Sequence, residues 1–223
     1  MIRRPRHPIS RLLPRALLAP GFVALVATGC QYFHPATPEK PTDSSAVQID
    51  LTSADGTLTT LQAAIQAKGL QGGDAAYRVC FADSTDKTTP AFHAYFWPED
   101  ASAWTSQGKS LPSDWTLRDE GPFYNIGPRA LANLRDEPYQ MSWDTEKPDE
   151  FGTGTALLHK HYLIVAEGNG GVAEIIAKGF ADILMVQNTA GNWVIVQWQD
   201  RADPDVDPTL TQKTWGLRRL ESR

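Results

Sequence analysis

Two histidines on one face of a predicted strand have a spacing that could bind a metal ion. His159 and His161 stand two residues apart in a β-rich segment. Side chains two apart on a strand point to the same side, so both imidazoles could reach one Zn²⁺. A zinc site would need a third ligand, and the candidates for it are His93, Asp182 and Glu174. Because nothing in the spacing requires that ligand, we expect polar residues on a strand face, with no metal and no cofactor.

A second possible chemistry is proton transfer by a carboxyl group in an apolar pocket. A buried carboxyl group with a raised pKa can move a proton between carbon atoms. The residues that could be recruited to such a site are Asp182, Asp200, His161 and Tyr95. None of them stands in a catalytic pattern, so no catalytic residue is predicted and an enzyme is kept as the alternative.

Large aromatic residues are numerous for one small domain, with seven Trp, eight Phe and six Tyr. Aromatic walls with few polar groups suit an apolar small molecule or a side chain of a partner protein. The same residues would also fill the core of such a domain. The predicted ligand pocket is lined by Tyr95, Trp97, Trp143, His161, Asp182 and Trp198.

The first 29 residues have the pattern of an export signal. They hold five arginines and no acidic residue, followed by an uncharged run over 16–29 that is short for a membrane span. The run ends in Val26-Ala27-Thr28-Gly29-Cys30, which resembles the bacterial lipobox, with Ala27 where Leu is usual. The resemblance implies that residues 1–29 are a lipoprotein signal peptide and that Cys30 becomes the lipidated first residue.

Residues 30–48 contain three prolines and several small polar residues, which predicts a flexible linker. Residues 49–223 are then one domain, anchored to a membrane of the cell envelope. Because Gln31 rather than Asp follows the cysteine, the resemblance favours the periplasmic face of the outer membrane if the host has two membranes. Removal of residues 1–29 leaves 16 basic against 26 acidic residues, a net charge of −10. That charge would repel phosphate backbones, so no nucleic-acid partner is expected.

The N-terminal part of the domain is predicted to be helical. Residues 57–68 have apolar residues at helical spacing, with Asp55 as N-cap and Gly69 as the stop. A second helix begins at Asp74 and contains Cys80, which we expect to be a buried, inert thiol. The Gly-, Pro- and Ser-rich residues 105–127 predict a surface loop, and residues 127–136 a further helix.

The C-terminal part is predicted to be β-structure. Strands are expected over 92–97, 138–144, 156–168, 172–187 and 192–201, with Gly-containing turns between the last three. Gly179, near the middle of a 16-residue run, predicts a bulge or bend. Helices followed by a meander of strands predict an α+β domain with helices packed on one face of a curved antiparallel sheet.

This order of elements resembles the nuclear-transport-factor-2-like (NTF2-like) superfamily, which includes SnoaL-like and ketosteroid-isomerase-like proteins. The resemblance is carried by the helix at 57–68, by GDAAYRVCFAD, and above all by GFADILMVQNTAGNWVIVQWQDR. It implies N-terminal helices on a strongly curved, cone-shaped, cystatin-like sheet, and homodimers through the sheet face. The family includes enzymes, binding modules and scaffolds, so the fold leaves the function open. We expect a non-catalytic domain that binds a small apolar ligand or another envelope protein; an isomerase or dehydratase is the alternative.

The lipid anchor generates the first prediction. Replacement Cys30→Ala removes the thiol that accepts the lipid, so the protein should move from the membrane to the soluble fraction after cell lysis and ultracentrifugation. Continued detergent-dependent association of the variant with membranes would contradict the anchor.

Overall fold

The computed structural model describes residues 47–68, 72–168, 171–204 and 213–223. The predicted signal peptide, Cys30 and the linker up to residue 46 lie outside these ranges, as does the predicted helix stop at Gly69. Within the described ranges, no helix combines the length and the apolarity needed to cross a bilayer.

Helix α1 spans Ala54–Gln66 and opens the domain. Its N-cap is Ser53, whose side-chain oxygen accepts a hydrogen bond from the backbone N–H of Gly56 at 2.9 Å. The predicted N-cap Asp55 is therefore wrong, because Ser53 is already extended and its hydroxyl satisfies the free N–H group. The helix has the apolar face that the 3.6-residue spacing predicts, formed by Leu58, Leu61, Ala64 and Ile65.

Helix α2 spans Gly73–Val79, one residue before the predicted start at Asp74. Cys80 follows it directly and is fully buried, as predicted. Its thiol donates to the carbonyl of Ala76 at 3.2 Å, and burial raises its pKa. A buried protonated thiol is a poor nucleophile.

The predicted surface loop over 105–127 is wrong in its second half. Helix α3 spans Pro98–Ser106, and helix α4 spans Leu117–Asn125 despite Gly and Pro within it. The backbone N–H of Thr116 donates to the Asp119 carboxylate at 3.1 Å, which is one arm of a capping box. This cap and the buried side chain of Phe123 outweigh the weak intrinsic helix propensity.

The predicted helix over 127–136 is also wrong. The chain forms only a single 3₁₀ turn at Leu131–Asn133. Gly127 has a φ of +94°, which lies in the left-handed region, and Ala130 is extended with a ψ of 149°. Two non-helical residues so close together prevent a continuous helix.

The strands form one curved, mostly antiparallel sheet, so the predicted α+β class is confirmed. Its members are β1 His93–Tyr95, β2 Tyr139–Thr145, β3 Glu150–Gly152, β4 Thr155–Glu167, β5 Ala173–Gln187 and β6 Trp193–Arg201. The order is β1-β6-β5-β4-β2, and β3 also pairs with β4. Among the strands that the described ranges contain, β1 and β6 form the one parallel pair. A last helix, α5, spans Trp215–Glu221 and begins at the N-cap Thr214.

The sheet has two bulges, and neither lies at Gly179, where the sequence predicted one. The extra residues are Ile176 on β5 and Val196 on β6, where the pairing registers shift. Gly179 instead allows a close approach. A Cβ atom at this position would lie 2.7 Å from the hydroxyl oxygen of Tyr162 and 2.6 Å from the carbonyl oxygen of Arg201.

This close approach generates the second prediction. Gly179→Ala would push Tyr162 and the β6 backbone apart, so the free energy of unfolding in urea should fall by about 1–3 kcal/mol. The matched control is Gly121→Ala within α4, where the nearest atom to a new Cβ would be 3.7 Å away. That control should be neutral or stabilising by up to about 1 kcal/mol; equal losses in both variants would refute this explanation.

Candidate functional site

The inner face of the curved sheet is filled by large aromatic side chains. Tyr162 on β4 and Trp198 on β6 point inward and are fully buried, and Trp215 from α5 packs against both. The ring centroids of Trp198 and Trp215 are 5.1 Å apart, and those of Tyr162 and Trp215 are 5.9 Å apart. Helix α5 therefore brings a large side chain into the space where a hollow cone would hold a ligand.

A buried ion pair joins α5 to α4 within this interior. The Arg219 guanidinium donates to the two carboxylate oxygens of Glu120 at 2.9 and 2.8 Å, and both residues are fully buried. Tyr77 and Trp115 also donate to Glu120, at 2.6 and 2.5 Å. Each carboxylate oxygen of Glu120 thus accepts two hydrogen bonds, so no lone pair is left to accept one from a substrate.

Asp200, at the end of β6, is the second carboxyl group of the interior. One oxygen accepts from the Tyr162 hydroxyl at 2.8 Å, and the other accepts from the backbone N–H of Gly216. Burial raises the pKa of Asp200 to about 6, although Arg219 and these hydrogen bonds favour its charged form. The Tyr162 oxygen itself accepts from the backbone N–H of Trp215 at 2.8 Å. Both oxygens of Asp200 therefore accept hydrogen bonds from groups that also connect α5 to the sheet.

The polar atoms that stay unpaired near this interior are donors. They are the indole nitrogens of Trp143, Trp198 and Trp215 and one terminal nitrogen of Arg219, none of which has an acceptor within the described part of the chain. The Arg219 guanidinium lies 5.0 Å from the ring centroid of Trp198 and 5.8 Å from that of Trp215. Aromatic faces surround this cation and partly replace the missing acceptors. Donors of this kind cannot serve as a general base.

The residues of the predicted ligand pocket do not come together in one place. Trp143 and Trp198 face the interior, with ring centroids 6.0 Å apart. His161 and Asp182 lie on the opposite, outer face of the sheet, since their neighbours Tyr162 and Ala181 point inward. Tyr95 on β1 is 51% exposed, and Trp97 is the N-cap residue of α3. The pleat of the sheet separates the two tryptophans from the two titratable residues.

The two histidines share the outer face, as the two-residue spacing predicts, but each has its own carboxylate. Nδ1 of His159 lies 2.6 Å from Asp182, and Nε2 of His161 lies 3.1 Å from Asp203. His93 pairs with a different carboxylate, that of Asp114, at 2.7 Å. No group of three metal-ligating side chains is assembled anywhere in the ranges that the structure describes. Both histidines are therefore held by hydrogen bonds to carboxylates on the outer face of the sheet.

An open groove of about 350 Å³ lies at the edge of the domain. Its base is the segment that follows α2, where Ala82 donates to the carbonyl of Ile195 at 2.9 Å and Ile195 donates to that of Cys80 at 2.8 Å. The apolar side chains that line it are Leu51, Val79, Phe81, Ala82, Leu117 and Val194. The polar ones are Arg78, Asp83, Asp86, Thr89, Asn188 and Asn192.

Sequence reasoning missed the residues that organise the interior. Glu120 lies in the segment that was predicted as a loop, so its burial could not be foreseen from periodicity. Trp215 and Arg219 are four residues apart, which places them on one helix face, and the segment TWGLRRL contained that signal. Because an arginine on the same face as a tryptophan is more often exposed than buried, the residue types alone do not predict the buried ion pair.

No protein-family model and no curated protein sequence matches this chain. Solved structures with a similar fold include a protein of unknown function from Mycobacterium tuberculosis, with 10% identity and a TM-score of 0.46 over 75% of this chain and 90% of that one. An NTF2-like superfamily protein from Salmonella enterica serovar Typhimurium has 8% identity and a TM-score of 0.46, over 68% of this chain and 89% of that one. A proposed dehydratase of the NTF2-like family from Streptomyces avermitilis has 11% identity and a TM-score of 0.45, over 66% and 92% of the two chains.

Proteins described as NTF2-like are thus among the solved structures with a fold similar to that of this chain. The fold class itself follows from the helices and the sheet order described above. Identities this low carry no inference about the activity or the ligand of this chain.

The raised pKa of Asp200 generates the third prediction. A carboxyl group whose folded pKa is about 6 against an ordinary 3.8 binds a proton more tightly in the folded state. The contribution of Asp200 to the free energy of unfolding is therefore lost as the pH rises from about 4 to about 6. The loss is on the order of 3 kcal/mol. Asp200→Asn should abolish this component, as measured by urea unfolding at several pH values across that window.

The control for this experiment is Asp144→Asn, a carboxylate on the outer face whose side chain is 77% exposed. Its unfolding free energy should follow that of the unmodified protein at every pH. A pH dependence that is identical in the Asp200→Asn variant and the unmodified protein would contradict the assignment.

Proposed function

We propose that this protein is a lipid-anchored domain of the bacterial cell envelope that binds a small apolar ligand, or an apolar segment of another envelope protein, without catalysing a reaction. The observation that carries the proposal is the interior of the sheet. Aromatic side chains fill it, and its two carboxyl groups are both held by internal hydrogen bonds.

The bonding of the interior carboxyl groups supports the non-catalytic part of the proposal. An acid/base enzyme needs a titratable group within hydrogen-bond reach of its substrate. Glu120 receives four hydrogen bonds from three side chains, and Asp200 has a donor on each oxygen. A substrate would have to displace Trp215 and break these bonds before it met either group.

The groove supports the binding part of the proposal. Its volume of about 350 Å³ is near the lower end of the ~300–1,000 Å³ typical of small-molecule sites. Half of its lining residues are apolar. One of them, Val79, is 39% exposed to solvent. An apolar molecule or side chain that covered this surface would gain about 25 cal/mol for each Å² of apolar area removed from water.

The anchor rests on the sequence of the N-terminal segment. The lipobox-like residues before Cys30 and the proline-containing linker that follows would place the domain at a membrane surface on a tether. A domain held there meets ligands that partition between membrane and water, and meets other anchored proteins. Multiple acyl chains on one cysteine would hold it firmly, because a single chain binds a membrane only marginally.

One observation favours the alternative function. A buried Asp200 with a pKa of about 6, bonded to the Tyr162 hydroxyl, has the chemistry that a ketosteroid-isomerase-like or SnoaL-like enzyme (isomerase or dehydratase) would need. Such an enzyme would require α5 to move so that Trp215 left the interior. Catalysis at this site would then be lost in Asp200→Asn, whereas binding in the groove would be unchanged.

Val79→Asp generates the fourth prediction. A carboxylate placed in the groove would have to be desolvated by an apolar ligand, which is costly. The variant should therefore lose the fluorescence enhancement of a neutral apolar dye such as Nile red. It should also lose any small molecule that native mass spectrometry detects with the unmodified protein.

The matched control is Val172→Asp, which makes the same change at a residue that is 70% exposed and lies outside the groove. This control should bind the dye as the unmodified protein does. The groove would be excluded as the binding site if Val79→Asp kept full binding, or if both variants lost it equally while melting at unchanged temperatures.

A further inference from the structure

Cationic side chains make up four of the six residues that line a second pocket, which is separate from the groove. It has a volume of about 270 Å³ and lies between the end of α3, the 3₁₀ turn and α5. Its lining residues are Lys109, Arg129, Leu134, Lys213, Arg218 and Glu221. We propose that this pocket binds the phosphate group of a small phosphate ester or of a lipid headgroup.

The charge of this pocket is opposite in sign to the net charge of the whole chain. The chain has 26 acidic and 21 basic residues. The pocket nevertheless collects four cations against the single carboxylate of Glu221, which leaves about three positive charges uncompensated. Like charges held close together repel one another, so an arrangement of this kind is stabilised by an anion between them.

Two of the four cations are fixed in position by their neighbours. Glu221 accepts from Lys213 at 2.7 Å and from Arg218 at 3.3 Å. Nε of Arg218 also donates to the backbone carbonyl of Ile176 at 2.7 Å. The guanidinium is thereby oriented before a ligand arrives, and a site whose donors are already ordered loses less entropy on binding.

The other two cations have no carboxylate partner within the described ranges. The Lys109 ammonium lies 3.8 Å from the centroid of the Trp104 ring and donates to Gln107 at 2.9 Å. Arg129 is exposed and takes part in no described ion pair. These two side chains can turn toward an anion without breaking an existing ion pair.

Phosphate fits this pocket better than a carboxylate does. A phosphate monoester carries a charge of about −1.5 to −2 at pH 7 and has three strong acceptor oxygens. Its charge offsets more of the three uncompensated positive charges than the single charge of a carboxylate would, and its oxygens can accept from both guanidinium groups. Leu134 adds one apolar contact, which suits an organic group attached to the phosphate.

The same phosphate chemistry can come from a free metabolite or from the headgroup of phosphatidic acid, which is also a phosphate monoester. The experiment therefore uses the full chain in its unlipidated Cys30→Ala form, so that no acyl chain carries the protein to the vesicles, with two kinds of probe. Calorimetric titration with phenyl phosphate and inorganic phosphate tests the free ester, with benzoate as the singly charged comparison. Co-sedimentation with vesicles of phosphatidic acid and phosphatidylcholine, against pure phosphatidylcholine vesicles, tests the headgroup.

The test variant is Lys109→Gln combined with Arg129→Gln, which removes the two cations that have no carboxylate partner. Both residues are exposed, so the fold should be kept and is checked by thermal unfolding. We expect binding to weaken by roughly three- to fivefold for each cation removed, and to weaken further with added salt. The matched control is Lys87→Gln combined with Lys147→Gln, which removes two charges from exposed residues outside the pocket and should change binding by less than about twofold.

Each outcome decides the proposal. Binding of phenyl phosphate that is weakened in the test variant alone supports a soluble phosphate ester as the ligand. Selective loss of co-sedimentation with vesicles that contain phosphatidic acid in that variant supports a headgroup; the N-terminal segment is the same in all variants, so it cannot cause the difference. The proposal is overturned if no probe binds, if benzoate binds as tightly as phenyl phosphate, or if test and control variants weaken binding equally.

Discussion

The ion pair between Arg219 and Glu120 is the interaction on which the rest of the interior depends. Both side chains are completely buried, and two charges pay a large desolvation cost when they leave water. Here that cost is offset by two parallel hydrogen bonds between the pair, by two further donors to Glu120, and by aromatic rings around the guanidinium. Loss of one partner alone would leave an uncompensated buried charge, a change that typically costs 3–5 kcal/mol.

The pair also decides what the curved sheet can do. It fixes α5 across the open side of the sheet, and α5 brings Trp215 into the interior and the Gly216 N–H to Asp200. A sheet of this shape could enclose a ligand, but here the enclosed volume is taken up by the protein's own side chains. The two surfaces that we propose for ligands consequently lie outside this interior, in the apolar groove beside α2 and in the cationic pocket beside α5.

Five of the six strands and the first two helices could be predicted because their signals are local, whereas the short strand β3 was not predicted. Alternation in β4, the turn before β6 and the apolar face of α1 are all contained within short stretches of sequence. The errors arose where a distant contact overrides a local signal. Helix α4 forms around Gly121 and Pro122 because Glu120 and Phe123 are buried against other elements, and Gly179 is required by the hydroxyl of Tyr162 rather than by a bulge.

The candidate site was the least predictable part, for a geometric reason. Aromatic and titratable residues could be picked out by type, but the side of the sheet that each one faces depends on the register. His161 and Tyr162 are adjacent in the chain and point to opposite faces. Trp143 and Trp198 therefore joined the interior, whereas His161 and Asp182 joined the outer face. The partners Glu120 and Arg219 are 99 residues apart, and no local pattern connects them.

The central claim is that the interior of the sheet is filled and closed to ligands. Hydrogen exchange of the indole N–H groups of Trp198 and Trp215, followed by NMR in D₂O, tests it most directly. If α5 stays in place, these protons exchange only when the domain unfolds globally, as slowly as the best-protected backbone amides of β4 and β5. Exchange that is complete within minutes, while those amides remain protected, would mean that the interior opens, and would contradict the account.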